Sequence, residues 1–243
     1  MPPDRDTVAK PGVRITQRGY SLAVSESGDR RARKKAATRA LVLQTAQRLF
    51  DERGFDVVTI AEIAAQADVA VQTVFNHFAT KEDLFFADRA PWVDAPARAV
   101  RNLRAGESLV TATRTALVEA VRAHIAELAD PAPRRFIATM EQSAALQAYE
   151  RELNELARMQ LEGALIDAWT MPANDPENVR VTAMLVSATC MATVRAVALA
   201  HRDPMPAPQD AAERADRAAA LTDLALKSLE DALRASVTPA EPA

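Results

Sequence analysis

Two helix-start signatures bracket a stretch of chain that has little freedom in how it folds. Thr59 followed by Glu62 is a T-x-x-E capping box ahead of Ile60, Ile63, Ala64 and Ala67, so a short helix begins there and ends near Asp68. Thr80, Lys81, Glu82 and Asp83 repeat the same logic ahead of Leu84, Phe85 and Phe86, and Pro91 cannot easily continue that helix. Between the two, the segment VAVQTVFNHF (69–78) puts Val71, Val74, Phe75 and Phe78 on one helical side and leaves Gln72, Thr73, Asn76 and His77 mostly off it. Upstream, over 31–53, Leu41, Val42, Thr45, Ala46, Leu49 and Phe50 recur at helical spacing and Gly54 supplies a stop. The spacing predicts a compact three-helix core in which the two apolar stripes bury against Leu49 and Phe50.

The remainder also reads as helix. Alanine is abundant, only six glycines occur, and β-branched residues are scattered, so helix propensity dominates most windows. Further helices are expected over 95–103, 108–129, 134–146, 148–169, 176–201 and 209–235, with breakers at 130–133, 171–175 and 203–208. The predicted fold is all-α: a tail over 1–29, a helix-turn-helix domain over 30–88, a larger helical domain over 89–235 and a second tail over 236–243.

The net charge of −3 is unevenly spread. Residues 1–89 hold 14 Lys/Arg against 12 Asp/Glu, whereas 90–243 hold 16 against 21. Arg30, Arg31, Arg33, Lys34, Lys35 and Arg39 form a basic run that suits a phosphate backbone, and equally suits a solvated helix start. Cys190 is the only cysteine, so no intrachain disulfide can form. No run of some 18 or more uninterrupted apolar residues and no signal-peptide core is seen, and a cytoplasmic protein with no membrane partner is expected.

A helix-turn-helix reads DNA by laying its second helix in the major groove, where polar side chains reach base edges and neighbouring helices anchor phosphates. The region 59–81 has those parts. Three runs make the reading specific: A-x-x-L-F-x-x-x-G-F from Ala46 to Phe55, T-x-x-x-I-A from Thr59 to Ala64, and F-x-H-F-x-x-K-E-x-L from Phe75 to Leu84. With them, residues 36–86 resemble, without a gap, the DNA-binding domain of the TetR family of regulators. That resemblance implies that Val71, Gln72, Thr73, Phe75, Asn76 and His77 face DNA and that Thr59 and Lys81 touch phosphates. Gln72 and Asn76 have the donors and acceptors to pair with base edges, and Thr73 can bond a phosphate or meet a thymine methyl. Ala70 departs from the pattern, since the family often has a capping Ser there, leaving Asp68 or free backbone amides to serve.

In the larger half, Val181, Met184, Leu185, Ala188, Met191 and Ala192 form one apolar or small-residue face, and Leu221, Leu224, Ala225, Ser228, Leu229, Ala232 and Leu233 another. Two copies of this helix pair, 176–201 with 209–235, could close a four-helix homodimer interface, as TetR-family proteins do; a purely intrachain core is the alternative. Trp92, His124, Phe136, Met140, Tyr149 and Trp169, together with Met184, are candidate walls of a mainly apolar effector cavity; Phe86 and Met159 belong to the same bulky set. Residues 135–201, through RRFIATMEQSAALQAYERELNELARMQLEGAL, are also similar to the TetR subgroup with acyl-CoA-like effectors. The implied ligand is fatty-acyl-like, with Arg134 or Arg135 meeting an anionic end, and no other cofactor is expected.

Competing classes find less support. His77, His124 and His201 lie far apart and show no metal spacing, and no nucleophile motif or phosphate loop occurs. Glu150, Glu152 and Glu155 sit amid Arg151 and Arg158, the pattern of a solvated helix face rather than of a catalytic pair. A nucleoid-type DNA binder with no effector would share the helix-turn-helix but would not need the bulky helical half. The combined expectation is a repressor, released from a near-palindromic double-stranded operator by a small, mainly apolar molecule.

Overall fold

The computed structural model describes residues 18–103, 108–169, 175–202 and 204–237, which contain helices, turns and no strand. Among the described residues, ten α-helices follow one another. The first four are α1 (Arg18–Arg53), α2 (Ile60–Gln66), α3 (Val71–Phe75) and α4 (Lys81–Phe86). Then come α5 (Ala95–Arg101), α6 (Leu109–Ala126), α7 (Pro131–Gln142), α8 (Ala144–Trp169), α9 (Pro176–Ala200) and α10 (Ala211–Val237).

Both capping boxes form as the sequence predicts. The Thr59 hydroxyl accepts from the Glu62 amide at 3.2 Å while the Glu62 carboxylate accepts from the Thr59 amide at 2.8 Å, so two orphan donors are satisfied reciprocally. These bonds, together with Arg53, hold the Glu62 carboxyl down to about 2. Thr80 and Asp83 make the same exchange at 3.1 and 2.9 Å.

Helix α1 begins at Arg18 rather than near Arg31, so part of the segment expected as a tail continues the helix. Once a helix is nucleated, each further residue adds a hydrogen bond, and residues 18–30 hold no proline to interrupt it, although Gly19 and Gly28 each oppose it. Residues 1–17 and 238–243, where most of the two expected tails fall, lie outside the described residues. Helix α1 stops at Gly54, whose φ of 83° is the left-handed conformation that glycine adopts most readily, and whose amide closes on the Phe50 carbonyl at 2.9 Å.

The α7–α8 break comes at Ser143, earlier than the 147 expected from the pattern. The Ser143 hydroxyl accepts from the Leu146 amide and donates to the Asp56 carboxylate at 2.7 Å, which caps α8 and ties it to the loop after α1. Pro131, expected in a breaker, instead opens α7 at a position where its missing N–H is harmless. Asp175 caps α9 by accepting from the Glu177 amide at 3.2 Å.

The first core gathers Val42, Leu49, Phe50, Phe55, Ile63, Val74 and Phe78 with Leu84, Phe85 and Phe86, and it runs on into Met140 and Leu146 of the larger half. The second lies between α5, α6, α8, α9 and α10 around Leu117, Leu161, Leu165, Val186 and Leu226, and the third around Ile125, Leu128 and Ile137. Helix α10 packs along α6, and the seam is sealed by Arg114, which bonds Asp223 and the buried Glu230.

Over Glu177–Ala200, α9 is long and apolar enough to cross a membrane by length and composition, and one face of it packs against α6, α8 and α10. Its inner residues are Ala183, Val186, Ser187, Cys190, Met191 and Val197. Burial pushes the Cys190 thiol up to about 12, so it stays protonated and unreactive.

A Cβ placed on Gly54 would meet nothing within 4 Å, so the strain of a Gly54→Ala substitution is confined to the backbone. Gly54→Ala is expected to lower unfolding free energy by about 1 kcal/mol, the cost of a side chain in the left-handed region. Urea denaturation checks this, and an unchanged midpoint would contradict the assigned turn.

Candidate DNA-reading surface and effector cavity

The second helix of the helix-turn-helix is shorter than the 69–78 expected. Helix α3 has 5 residues, and Asn76 is its C-cap, with His77 in the turn that follows. Asp68, at φ 52°, makes the tight turn before it, and no side chain caps Ala70. Of the four apolar positions, Val74 and Phe78 are buried, but Val71 and Phe75 remain 41% and 45% exposed. So brief a helix turns only one narrow stripe to the core, and the expectation that all four pack inward is corrected.

The outward face therefore carries Val71, Gln72, Phe75 and Asn76, with Thr73 and His77 half-buried at its margins. The Gln72 amide donates to the Asn76 side-chain oxygen at 3.3 Å, so the two polar groups lie side by side one turn apart. Large apolar side chains beside paired amides suit a surface that meets both base edges and thymine methyls.

Lys81 is occupied differently from the expected phosphate anchor. Its ammonium donates to the carbonyls of Phe55 and Val58, both at 3.0 Å, and lies 4.1 Å from the centroid of the Phe55 ring. It clamps the α1–α2 loop to the start of α4. Arg39 likewise makes a bidentate pair with Asp88 at 3.0 and 3.1 Å and covers the Phe78 ring, so it braces α1 against the end of α4. The Thr59 side chain is engaged by Glu62 in its capping box, although the residue is exposed.

Behind this unit, aromatic rings pile up across the junction. Phe50, Phe55 and Phe85 lie within 5.2–5.8 Å of one another, and Phe85 stacks on Phe136 of α7 at 4.8 Å and 15°. Phe86 meets Phe136 edge-on at 5.7 Å and Tyr149 at 5.6 Å, while the Tyr149 hydroxyl bonds Asp83. Burial, then that carboxylate, push the Tyr149 phenol up to about 12, so it remains a donor.

On the far side of Phe136 lies a cavity of about 520 Å³, within the range of small-molecule sites. Trp92, Pro91, Val121, Phe136, Ile137 and Val194 supply apolar wall; Arg89, His124, Glu150, Asn154, Arg195 and Arg202 supply the polar part. Glu150 and Arg202 form a buried bidentate pair at 3.1 and 2.5 Å, joining α8 to the end of α9. Burial, with Arg202 nearby, lowers His124 to about 4, so the ring is neutral near pH 7.

The sequence of the first part and the fold have counterparts among known proteins. Residues 42–87 match the family described as bacterial regulatory proteins, tetR family. Residues 42–87 are thus similar to the N-terminal domain of that family. No curated protein sequence matches the chain. Its fold is similar to that of SmeT in complex with triclosan, with a TM-score of 0.51 over 78% of this chain and 91% of that one, at 21% identity. A second structure of SmeT, described as the repressor of the Stenotrophomonas maltophilia multidrug efflux pump SmeDEF, gives 0.44 at 21% identity over 77% and 89%. NalD of Pseudomonas aeruginosa, described as the secondary repressor of the MexAB-OprM pump, gives 0.45 at 18% identity over 76% and 96%.

Of the seven residues expected in a cavity wall, Trp92, His124 and Phe136 line this cavity, whereas the other four do not. Met140 is buried in the first core, Tyr149 is held against Phe86 and Asp83, Trp169 packs on the second core, and Met184 is 47% exposed on α9. Arg134 and Arg135 do not reach the cavity: Arg134 donates to the Leu128 and Pro206 carbonyls, and Arg135 points towards Asp51. Arg89, Glu150, Asn154, Arg195 and Arg202, with Asp88 and Glu127, also line the cavity although the apolar pattern of the sequence does not point to them. A signal lay in the chain, because charged residues placed among apolar helical positions, such as Glu150 near Leu146 and Leu153, are rarely buried without a partner.

Because His124 is neutral when folded, the unfolded chain, with a value near 6.5, takes up the proton first as pH falls. Stability is therefore lost as pH drops from about 6.5 to about 4, by up to about 3 kcal/mol from this group. Urea melts of the wild type and His124→Gln across that window should diverge, the wild type losing more. Parallel curves would contradict a neutral buried ring.

Proposed function

We propose that the chain is a homodimeric, ligand-responsive transcriptional repressor that binds a near-palindromic operator and is released by a small, mainly apolar effector. The similarity of residues 42–87 to the TetR family supports DNA binding, with Gln72, Thr73, Asn76 and His77 as readers and Val71 and Phe75 as apolar contacts. The observation that carries the switch is that Phe136 belongs to two structures at once: it lines the cavity and stacks on Phe85 of α4. A ligand pressing on one face of that ring meets α4 on the other.

Dimerisation is supported by the outer faces of α9 and α10. Val181, Met184 and Leu185, with Leu221 and Leu224, stay exposed in the single chain, Leu224 at 65%. Ala188, Ala192, Ala225 and Ser228 between them are small and exposed, allowing close helix approach, while Met191, Leu229 and Leu233 turn inward. An isologous four-helix contact covers such a face with its own copy and sets two α3 helices about one DNA turn, or somewhat more, apart.

The cavity suits a small apolar ligand, and a fatty-acyl-like molecule with its bulk outside is the effector class that the larger half's resemblance implies. Ligand entry favours a conformer in which α4 and the following residues to Arg89 shift against the core, changing the separation of the readers. Affinity for the operator then falls through a population shift, with no chemistry on the ligand.

Mapping the DNA bound by the chain across its genome, followed by anisotropy titration of the recovered site, tests the reading. Gln72→Ala and Asn76→Ala should each weaken binding by about 1–3 kcal/mol at matched salt. Because the two side chains share a hydrogen bond, the double variant should cost less than the sum. Binding unaltered in all three would remove α3 as the reader. Leu224→Arg should give a monomer in sedimentation and lose operator affinity; a dimer that survives this change would move the interface elsewhere.

A further inference from the structure

Among the described residues, the buried side-chain polar atoms without a hydrogen-bond partner are Nη1 of Arg89 and Nε of Arg202, and both arginines line the cavity beside Phe136. Buried donors are ordinarily satisfied, and a cationic donor left bare is the costlier case. The two come from distant parts of the chain, Arg89 just after α4 and Arg202 just after α9, so nothing local explains the coincidence.

The charges around them decide what could complete the set. The Glu150 carboxylate already accepts from both Nη atoms of Arg202, whose side chain is only 9% exposed, leaving Nε as the nitrogen of that guanidinium without a partner. Asp88 on the cavity wall is paired outward with Arg39. Arg89 lies 5.2 Å from the centroid of the Phe136 ring, and burial lowers its basicity, with Asp51 near enough to oppose that. His124 adds a neutral ring, and Arg195 a further cation. Glu127 adds a carboxylate to the wall, so the cavity offers two unpartnered guanidinium donors, Arg89 Nη1 and Arg202 Nε, beside an apolar wall.

We infer that this cavity takes an apolar monocarboxylate, whose carboxylate accepts from Arg89 Nη1 and Arg202 Nε while its body lies against Trp92, Phe136, Ile137 and Val194. A neutral ligand without an acceptor would leave Arg89 Nη1 and Arg202 Nε without partners. A dianion such as a phosphate monoester would face the fixed Glu150 carboxylate next to Arg202 and be repelled. The inference rests on the cavity being the effector site, and it replaces Arg134 and Arg135 with Arg89 and Arg202 as the anion partners.

The test is calorimetric titration of the full-length protein with octanoate, decanoate, phenylbutyrate and naphthylacetate, each beside its corresponding primary alcohol. At least one acid should bind about tenfold or more tightly than its alcohol, the effect of a hydrogen bond to a charged group. Arg89→Gln should abolish that preference while keeping the affinity for the alcohol. Equal affinities for acid and alcohol in the wild type would overturn the carboxylate assignment and leave the cavity as an effector site. A preference that persists in Arg89→Gln would overturn the role of Arg89, and no binding across the whole panel would overturn both the inference and the reading beneath it.

Discussion

The structure depends on one aromatic stack, Phe85 of α4 against Phe136 of α7. Phe85 is fully enclosed and closes the core made by Phe50 and Phe55, so the ring that seals the DNA-reading unit is also the ring on which the larger half rests. Offset and edge-on aromatic contacts are directional, which makes the relative placement of the two parts definite rather than merely adhesive. The polar bonds at the junction, Tyr149 to Asp83 and Ser143 to Asp56, pin the same alignment from either side. Moving Phe136 therefore cannot leave α4 where it was.

Electrostatics in the reading unit are arranged inward to an unexpected degree. Lys81 and Arg39, two cations that could have met phosphate, instead hold the loop after α1 and the end of α4. Exposed basic side chains are concentrated earlier, at Arg30, Arg31, Arg33, Lys34 and Lys35 along α1. The polypeptide thus separates two duties of positive charge: some cations stiffen the scaffold, and others provide a long-range field on a different stretch of surface.

Where information was local in the chain, it could be read. The capping boxes at Thr59 and Thr80 involve residues three apart, and Gly54 marks its own turn, so the elements of the reading unit could be placed from sequence. The length of α3 could not, because Phe75 stays out of the core for a tertiary reason: Val74 and Phe78 already fill the stripe facing α1 and α2. Lys81 finds its partners among carbonyls 23–26 residues earlier and Arg39 its carboxylate 49 residues later, separations that no periodic pattern encodes. The cavity was half legible for the same reason. Bulky residues announce a filled interior, but whether Met140 packs the core or Trp92 faces a void depends on where α7 crosses α1.

Helix α3 spans little more than one turn, far below the length at which a helix holds its own shape in water. Its orientation is borrowed from the hydrophobic packing behind it, through Val74 and Phe78. A defect deep in that packing, or a few degrees of heating in a weakened variant, would therefore blur which base sequence is recognised before the fold as a whole gives way.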